Sequence, residues 1–415
     1  MRAVFESIVS VISGEAAVRA ASFVAALFIA RAYGGFVLGA YAASLAVVTV
    51  FMMFADNGLQ IFAITQLSGI RSGRNKIVGQ VYISKTILVA TAVALLALVA
   101  GCLRLGPFLW AVGIWVTIRT VLQSYSQLQM ALLKSLSKAN AIGVIQVIHS
   151  LFLLTGIWIA LQRGWTIFAL LAWFTAGQFF EFATTMLVLS RAGLRPTLPP
   201  RIHFWAAMRK STPFGITYGL ANLIVRSDTV VLSTLVPLSV LGAFSAANSI
   251  LLVVYVAAWL LGSVLLPEMV RLSATVGDLR LYVRRWARLL GFSTIPCALL
   301  AFLAAPKVMP FLFGPSLGQS GSLAAVMALA CPFILLNAVY TNFAIAMNNR
   351  AVFTGLFAAT AVIAIGLDFF LGRAFGPSGI ATAIVIREAA MLLGFWILMS
   401  RRSSPAAHVG YPVSS

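Results

Sequence analysis

The sequence has few charged residues and very few acidic ones. Only 9% of its 415 residues are charged, with 29 Lys and Arg against 9 Asp and Glu. A soluble domain carries roughly a quarter charged residues. Hydrophobic residues make up 61% of the chain, and the mean hydropathy is +1.01. A water-facing surface cannot be built from this composition, which therefore predicts an integral membrane protein.

Cysteine is scarce, and two common catalytic motifs are missing. Cys102, Cys297 and Cys331 lie far apart in apolar segments without a CxxC pair, so we expect three buried small side chains rather than a metal or redox site. There is no GxxxxGK[ST] phosphate loop and no HExxH zinc motif. We therefore predict no catalytic residue, no cofactor and no metal, and a protein that is not an enzyme.

The net charge of +20 does not indicate a nucleic-acid partner. The cations fall in short clusters between apolar spans, a distribution typical of membrane topology. No segment combines a basic groove with exposed aromatic side chains. We therefore expect no nucleic acid among the partners.

The apolar segments predict an all-α membrane protein with about twelve transmembrane helices. A spanning helix needs about 20 mostly apolar residues, and strand-like alternation is absent over any long run. Glu15 and Arg19 interrupt the first segment, which predicts a retained helix rather than a cleaved signal peptide. The predicted spans are 9–31, 36–63, 78–102, 107–132, 140–161, 165–190, 211–236, 240–267, 284–305, 322–347, 352–372 and 378–400.

The loop cations predict the orientation of these spans. Most of the 29 Lys and Arg residues lie at the chain ends or in loops after even-numbered spans. The opposite loops hold only Arg31, Arg104, Arg163, Lys307 and Arg373. Because cytoplasmic loops are enriched in Lys and Arg, both termini are predicted to be cytoplasmic.

A repeated motif predicts two equivalent halves. Val37-Leu-Gly-Ala-Tyr41 begins the second span, and Val240-Leu-Gly-Ala-Phe244 begins the eighth. Each is the second helix of its half, so the halves enter the membrane in the same orientation. This favours a parallel pseudo-two-fold repeat around a central cavity. The predicted units are an N-terminal six-helix bundle (1–190), a cytoplasmic linker (191–210), a C-terminal six-helix bundle (211–400) and a cytoplasmic tail (401–415).

Five cations lie in the interior of predicted spans, away from the span ends, where a charge costs several kcal/mol unless it faces protein or water. Arg19 lies near mid-span, four residues after Glu15, and is predicted to face the cavity. Arg226 and Asp228 are two residues apart and point to nearly opposite helix faces, and Arg226 is assigned to the cavity. Lys85 is expected to snorkel to the inner surface. For Arg387 we predict only that it has other partners.

The fourth span carries a polar stripe that begins with Arg119 and continues through Gln123, Ser126 and Gln127. Amides suit sugar hydroxyls, and guanidinium groups bind phosphate in a bidentate manner. The predicted substrate-binding residues are Arg19, Arg119, Gln123, Gln127 and Arg226.

Carboxylates inside the predicted spans are candidates for carrying a coupling proton or ion. Asp56, near the inner end of its helix, is instead interpreted as part of a cap or turn. The coupling candidates are Glu15, Glu181, Asp228 and Asp368.

Four segments resemble Wzx-type polysaccharide flippases, which belong to the multidrug/oligosaccharidyl-lipid/polysaccharide exporter superfamily. The matching features include an Arg-x-x-Gly turn followed by Gly-x-Tyr, and Arg-x-Asp followed by Gly-x-Phe, where the family usually has Tyr. The segments are FIARAYGGFVLGAYAASLAVVTVFMMFADNGLQ (28–60), RSDTVVLSTLVPLSVLGAFSAANSIL (226–251), FLFGPSLGQSGSLAAVMAL (311–329) and FGPSGIATAIVIREA (375–389).

This resemblance implies transport of a polyprenyl-pyrophosphate-linked oligosaccharide to the outer leaflet of a bacterial inner membrane, by alternating access. The product would be a cell-surface polysaccharide such as lipopolysaccharide or exopolysaccharide. Implied partners are the lipid-linked substrate, membrane lipids, and a polymerase with chain-length machinery. Two alternatives remain open. A drug/cation antiporter of the multidrug extruder type would favour carboxylates in the cavity. A membrane glycosyltransferase or polymerase would need longer outer loops.

Overall fold

The computed structural model describes residues 2–68, 74–102, 106–136, 138–197, 204–273, 276–347 and 350–401, and these residues contain helices and no strand. Continuous apolar runs form helices in a bilayer because a helix satisfies every backbone hydrogen bond within one segment. The α-helices are α1 (Arg2–Asp56), α2 (Leu59–Ser68), α3 (Arg74–Cys102), α4 (Pro107–Ser135), α5 (Ala139–Arg163), α6 (Ile167–Arg191), α7 (Phe204–Leu235), α8 (Leu238–Leu272), α9 (Val276–Phe313), α10 (Gln319–Ala328), α11 (Cys331–Ala346) and α12 (Arg350–Arg401), and one 3₁₀ turn covers Pro315–Leu317.

Two of these helices turn back on themselves at glycine. Gly34 in α1 has φ 83° and Gly376 in α12 has φ 61°, a region that favours glycine because it has no Cβ. Arg19 and Thr49, equally far from Gly34, line one cavity. The Leu356 side chain likewise lies against Gly394. Each of these two helices therefore crosses the membrane twice, as 2–33 and 35–56, and as 350–375 and 377–401.

Two further passes are interrupted by a break in the helix. The second pass continues from α1 into α2 across Asn57 and Gly58, which both have positive φ. The axes of α10 and α11 differ by 41°. In the described residues, seven helices are long and apolar enough to cross a membrane, or eight if this bent pair is one span. The two glycine reversals add two passes, and the more polar α4 and α7 complete the twelve, which confirms the predicted all-α fold.

The repeated glycine motifs of the two halves contact each other. A Cβ on Gly39 would lie 1.8 Å from the carbonyl oxygen of Leu238, and a Cβ on Gly242 would lie 2.0 Å from that of Gly35. These reciprocal contacts match a two-fold relation between the halves. Arg31 adds to them by donating from Nε to the Leu312 carbonyl at 2.6 Å, near the end of α9. We call this set the outer contact, following the predicted topology.

The opposite end of the molecule has its own contact between the halves. The Asn57 side-chain amide donates to the Thr212 hydroxyl at 3.1 Å, and Gly215 lies directly against the Asn57 backbone. We call this the inner contact. The predicted linker is partly helical, since α7 begins at Phe204, while 198–203 and the tail beyond 401 lie outside the described residues. The boundaries of the two units stay a prediction.

Candidate functional site

A central cavity lies between the outer and inner contacts, lined by α1, α4, α7 and α8. Its volume is about 320 Å³. All five residues predicted to bind substrate line it, namely Arg19, Arg119, Gln123, Gln127 and Arg226. These residues come from three helices, which the fold brings together at mid-membrane. Their role in binding stays a prediction.

Two of the three cavity arginines, Arg19 and Arg119, have different kinds of partner. The Arg19 side chain is 52% exposed, and its Nη2 lies 2.9 Å from Glu15 Oε1, one helical turn earlier. Arg119 donates from Nη1 to the Tyr41 hydroxyl at 2.5 Å, and its guanidinium carbon lies 5.5 Å from the centre of the Phe174 ring. Both arginines therefore line the cavity with a partner in contact.

Arg226 and Asp228 separate onto two faces of α7. Arg226 lines the cavity, and its electrostatic neighbours are Asp228, Arg19 and Tyr41. Asp228 is buried and faces α12, where its Oδ2 lies 3.8 Å from Arg387 Nη2. This is the division that the two-residue spacing predicts.

The polar stripe of α4 forms one wall of the cavity. Thr120 and Ser124 line the cavity beside Gln123 and Gln127. Ser126 does not: it is buried and accepts a hydrogen bond from the Gln178 amide at 3.4 Å. At 100° per residue, Ser126 lies at the edge of the arc centred on Gln123, where α4 packs on α6. The stripe is therefore narrower than the sequence predicts on that side.

The prediction that Lys85 snorkels is wrong, and the interpretation of Asp56 as part of a cap or turn leaves out its ion pair. Lys85 is 1% exposed rather than snorkelling, and its ammonium group pairs with the Asp56 carboxylate. Asp56 lines the cavity and also accepts from the Ser124 hydroxyl at 3.1 Å. This ion pair keeps the Lys85 side chain inside the protein. Sequence reasoning missed this site because the two residues are on different helices and have no motif spacing.

Two of the coupling candidates lie in the N-terminal half. Glu15 accepts from the Gln146 amide of α5 at 3.1 Å, besides pairing with Arg19. Glu181 is buried on α6, where its Oε2 lies 2.8 Å from Nδ1 of His149 on α5. His149 follows Gln146 by about one helical turn, so α5 connects the two carboxylates. Neither is among the residues that line the cavity.

The other two candidates meet around a buried arginine in the C-terminal half. Arg387 is fully buried and lies 3.8 Å from Asp228 and 3.7 Å from Glu388. Asp368, also fully buried, accepts from the Ser227 hydroxyl at 2.7 Å, and its Oδ1 has no hydrogen-bond partner among the described residues. The sequence predicted partners for Arg387 but could not identify them.

Glu388 is held by two further helices in the same cluster. The Tyr255 hydroxyl of α8 donates to it at 2.7 Å, and the Asn337 amide of α11 donates at 2.9 Å. We call Asp228, Asp368, Arg387 and Glu388 the C-terminal charge cluster. It contains three carboxylates and one guanidinium.

The cysteines, the turn at 314–318 and the metal-ligating residue types concern the predicted absence of catalytic and metal chemistry. Cys102 and Cys297 are exposed, which contradicts the expected burial, because an apolar side chain in a membrane protein can face lipid as readily as the core. Gly314-Pro-Ser-Leu-Gly318 has the spacing of a hydrolase nucleophile motif, which needs a strand-to-helix turn. Here it is a 3₁₀ turn between helices. The described residues contain no group of His, Cys, Asp or Glu arranged to hold a metal.

The cavity can attract an anion. Three guanidinium groups line it, of which Arg19 is paired with Glu15, and the one carboxylate among the described residues on its wall, Asp56, is neutralised by Lys85. Guanidinium groups can grip phosphate oxygens in pairs. The amides and hydroxyls of α4 provide donors and acceptors suited to a polar, uncharged group such as a sugar.

Comparisons with known proteins identify a matching family for the sequence and similar structures for the fold. A family model described as "Polysaccharide biosynthesis protein" matches residues 4–273. A search of the curated proteins gives no significant match. The fold is similar to that of the lipid II flippase MurJ in an inward closed conformation, with 16% identity, a TM-score of 0.76, and coverage of 94% of this chain and 87% of that one.

Multidrug transporters have the same fold. An inward-facing MATE family transporter of the MOP superfamily matches with 14% identity and a TM-score of 0.74, covering 96% of each chain. The Vibrio cholerae MATE transporter VcmN in the bent form matches with 13% identity and a TM-score of 0.62, covering 96% of this chain and 97% of that one. At these identities the likeness shows the fold alone.

Proposed function

Because the chain belongs to the polysaccharide biosynthesis protein family, we propose that it is a flippase for a polyprenyl-pyrophosphate-linked oligosaccharide. It moves this lipid from the cytoplasmic to the outer leaflet by alternating access. The membrane is a bacterial inner membrane with both termini cytoplasmic, and the oligosaccharide then serves cell-surface polysaccharide synthesis. A polymerase and chain-length machinery act on the product outside.

The observation that carries this proposal is the grouping of Arg19, Arg119 and Arg226 around one cavity. Three cations at membrane depth are expensive unless they serve an anion or water. A pyrophosphate offers several charged oxygens close together, which suits more than one guanidinium. The α4 wall of Gln123 and Gln127 then receives the first sugars.

The same charges argue against a drug/cation antiporter, although the fold is shared with MATE transporters. Like charges repel strongly in a site of low dielectric constant, so a cationic drug would meet three guanidinium groups without a free carboxylate on the wall. A protein of this kind would not confer resistance to cationic dyes. The membrane glycosyltransferase alternative has no catalytic group in this cavity to support it.

Energy for transport comes from an ion gradient or the membrane potential in this proposal. One charge moved through 100 mV supplies about 2.3 kcal/mol. In the C-terminal charge cluster, one guanidinium cannot neutralise three buried carboxylates, and an uncompensated buried charge is strongly unfavourable. At least one of these carboxyl groups therefore carries a proton, and Asp368, with its unpartnered oxygen, is the favoured carrier. Glu15 and Glu181 form the second candidate pair.

The test uses a bacterial strain whose surface polysaccharide depends on this chain. Arg19→Ala, Arg119→Ala and Arg226→Ala are compared at equal membrane abundance with Arg163→Ala, an exposed arginine at the end of α5. We expect surface polysaccharide to fall at least about tenfold in each cavity variant, as for loss of a charged hydrogen bond, and to stay unchanged in the control. Normal polysaccharide in all three cavity variants would refute the proposal.

A further inference from the structure

A second concave surface lies away from the cavity, on the membrane-facing side of the C-terminal half. α11 packs against both α9 and α12, and a groove remains between the latter two helices. Its volume is about 550 Å³. Leu336 and Tyr340 of α11 form its floor, and α9 and α12 form its sides. We call it the α9–α12 groove.

Two arginines line one side of this groove. Arg284 and Arg288 are four residues apart on α9, so both point the same way, and both are exposed. Arg284 also interacts electrostatically with the Tyr340 hydroxyl group on the floor. No acidic residue is among the described residues that line the groove. The side of α9 is therefore positively charged without a neutralising partner in the groove.

The other side of the groove is apolar and open to the surroundings. Leu393 and Trp396 of α12 are 55% and 61% exposed, and Leu392 lies beside them. A surface of this kind is stable in contact with acyl chains. The groove therefore offers cationic groups on one wall and an open apolar surface on the other.

The depth of the groove matches the level of lipid headgroups. Arg288 directly precedes the apolar segment 289–305 of α9, and Trp396 lies five residues before the end of α12 at Arg401. Tryptophan is enriched at the membrane interface. In the predicted topology this end of both helices is cytoplasmic, where basic pockets between helices bind anionic headgroups.

We propose that the α9–α12 groove binds an anionic phospholipid of the cytoplasmic leaflet. Arg284 and Arg288 hold its phosphate diester, and an acyl chain lies along Leu392, Leu393 and Trp396. A soluble phosphate would use only the charged half of the groove, whereas a phospholipid covers both halves. The groove is separate from the cavity proposed for the transported lipid, so this site is for a resident lipid and not for the cargo.

The test is native mass spectrometry of the purified full chain in detergent, mixed with phosphatidylglycerol or phosphatidylcholine. We expect wild type to retain phosphatidylglycerol in preference to phosphatidylcholine. Arg284→Gln with Arg288→Gln should weaken phosphatidylglycerol binding roughly thirty-fold. The matched control replaces two exposed arginines outside the groove, Arg285→Gln with Arg191→Gln, and should bind like wild type. Arg284→Lys with Arg288→Lys keeps the charge and should retain most of the binding.

Three results would overturn this proposal. They are equal retention of the two lipids by wild type, unchanged phosphatidylglycerol binding in the groove variant, and complete displacement of the lipid by an equal concentration of soluble glycerol phosphate. The last result would identify a phosphate site without an acyl component. Because the measurement needs neither transport nor an oligosaccharide lipid, its outcome is independent of the proposed flippase function.

Discussion

At the scale of single residues, the buried charges of this protein are arranged around partners on other helices. Lys85 on α3 forms an ion pair with Asp56 on α1, and Arg387 on α12 forms one with Asp228 on α7. By contrast, the partners of Arg119 among the described residues are the Tyr41 hydroxyl and the Phe174 ring. The Arg119 guanidinium is therefore available to a ligand, whereas Lys85 and Arg387 are held by carboxylates inside the protein.

Replacing Lys85 with Met should destabilise the fold. The substitution leaves the Asp56 carboxylate on the cavity wall without its counter-charge, and removal of one member of a buried ion pair costs about 3–5 kcal/mol. The free energy of unfolding in mixed detergent micelles measures this. Lys134→Met, at an exposed position on α4, is the control and should change stability little. Asp56→Asn in the same chain should recover part of the loss, and equal stability of Lys85→Met and wild type would contradict the role of this pair.

Replacing Asp368 with Asn should uncouple transport from a pH gradient. The amide resembles the protonated carboxyl and cannot release a proton, while the facing groups Ser227, Asp228 and Arg387 stay in place. We expect substrate binding to persist and the acceleration of transport by an imposed pH gradient to disappear in proteoliposomes. Asp278→Asn, at an exposed aspartate near the start of α9, should keep the acceleration. Full acceleration in Asp368→Asn would assign coupling to another group.

At the scale of helices, the outer contact depends on the absence of side chains. Gly39 and Gly242 let the second segment of α1 and the start of α8 approach backbone to backbone. Such close approach is typical of small residues between membrane helices. The motif VLGA[YF], which occurs once in each half, therefore marks the place where the two halves meet.

Gly39→Ala should open the outer contact. Its Cβ would lie 1.8 Å from the Leu238 oxygen, so the helices must separate. In a chain without its three native cysteines, a reporter cysteine at Thr49 should react several-fold faster with a membrane-impermeant thiol reagent added outside. Gly366→Ala, where a Cβ meets open space, should leave the reaction rate unchanged. Unchanged labelling in Gly39→Ala would mean that the outer contact does not limit access to the cavity.

At the scale of the whole molecule, composition and cation distribution were sufficient to predict twelve helices, because bilayer thickness fixes helix length and loops hold the charges. Mid-span position selected Arg19, Arg119 and Arg226, which line the cavity, but also Lys85 and Arg387, which do not. The partners of the buried charges could not be predicted. The sequence did not indicate that Lys85 pairs with Asp56, or that Asp228, Asp368 and Arg387 form a cluster. Those contacts depend on how distant helices pack, and no local spacing encodes that packing.

The predicted orientation of the whole molecule can be tested with reporter fusions. Alkaline phosphatase folds actively only outside the cytoplasm, so a fusion after Gly164, in the turn between α5 and α6, should be active. A fusion after Lys138, in the turn between α4 and α5, should be inactive, because cation-rich loops stay cytoplasmic. A green fluorescent protein fused at the same two positions should show the opposite pattern. An active phosphatase after Lys138 together with an inactive one after Gly164 would show that the topology is opposite to the predicted one.

The central claim is that guanidinium groups in the cavity bind a lipid pyrophosphate. The most direct measurement is binding of a polyprenyl-pyrophosphate oligosaccharide to the purified chain, compared with the same polyprenol lacking phosphate. We expect wild type to bind the pyrophosphate lipid at least about a hundredfold more tightly, since two charged contacts are made. Arg119→Gln with Arg226→Gln should remove that preference. Equal affinity for the two lipids in wild type, or an undiminished preference in the double variant, would contradict the account.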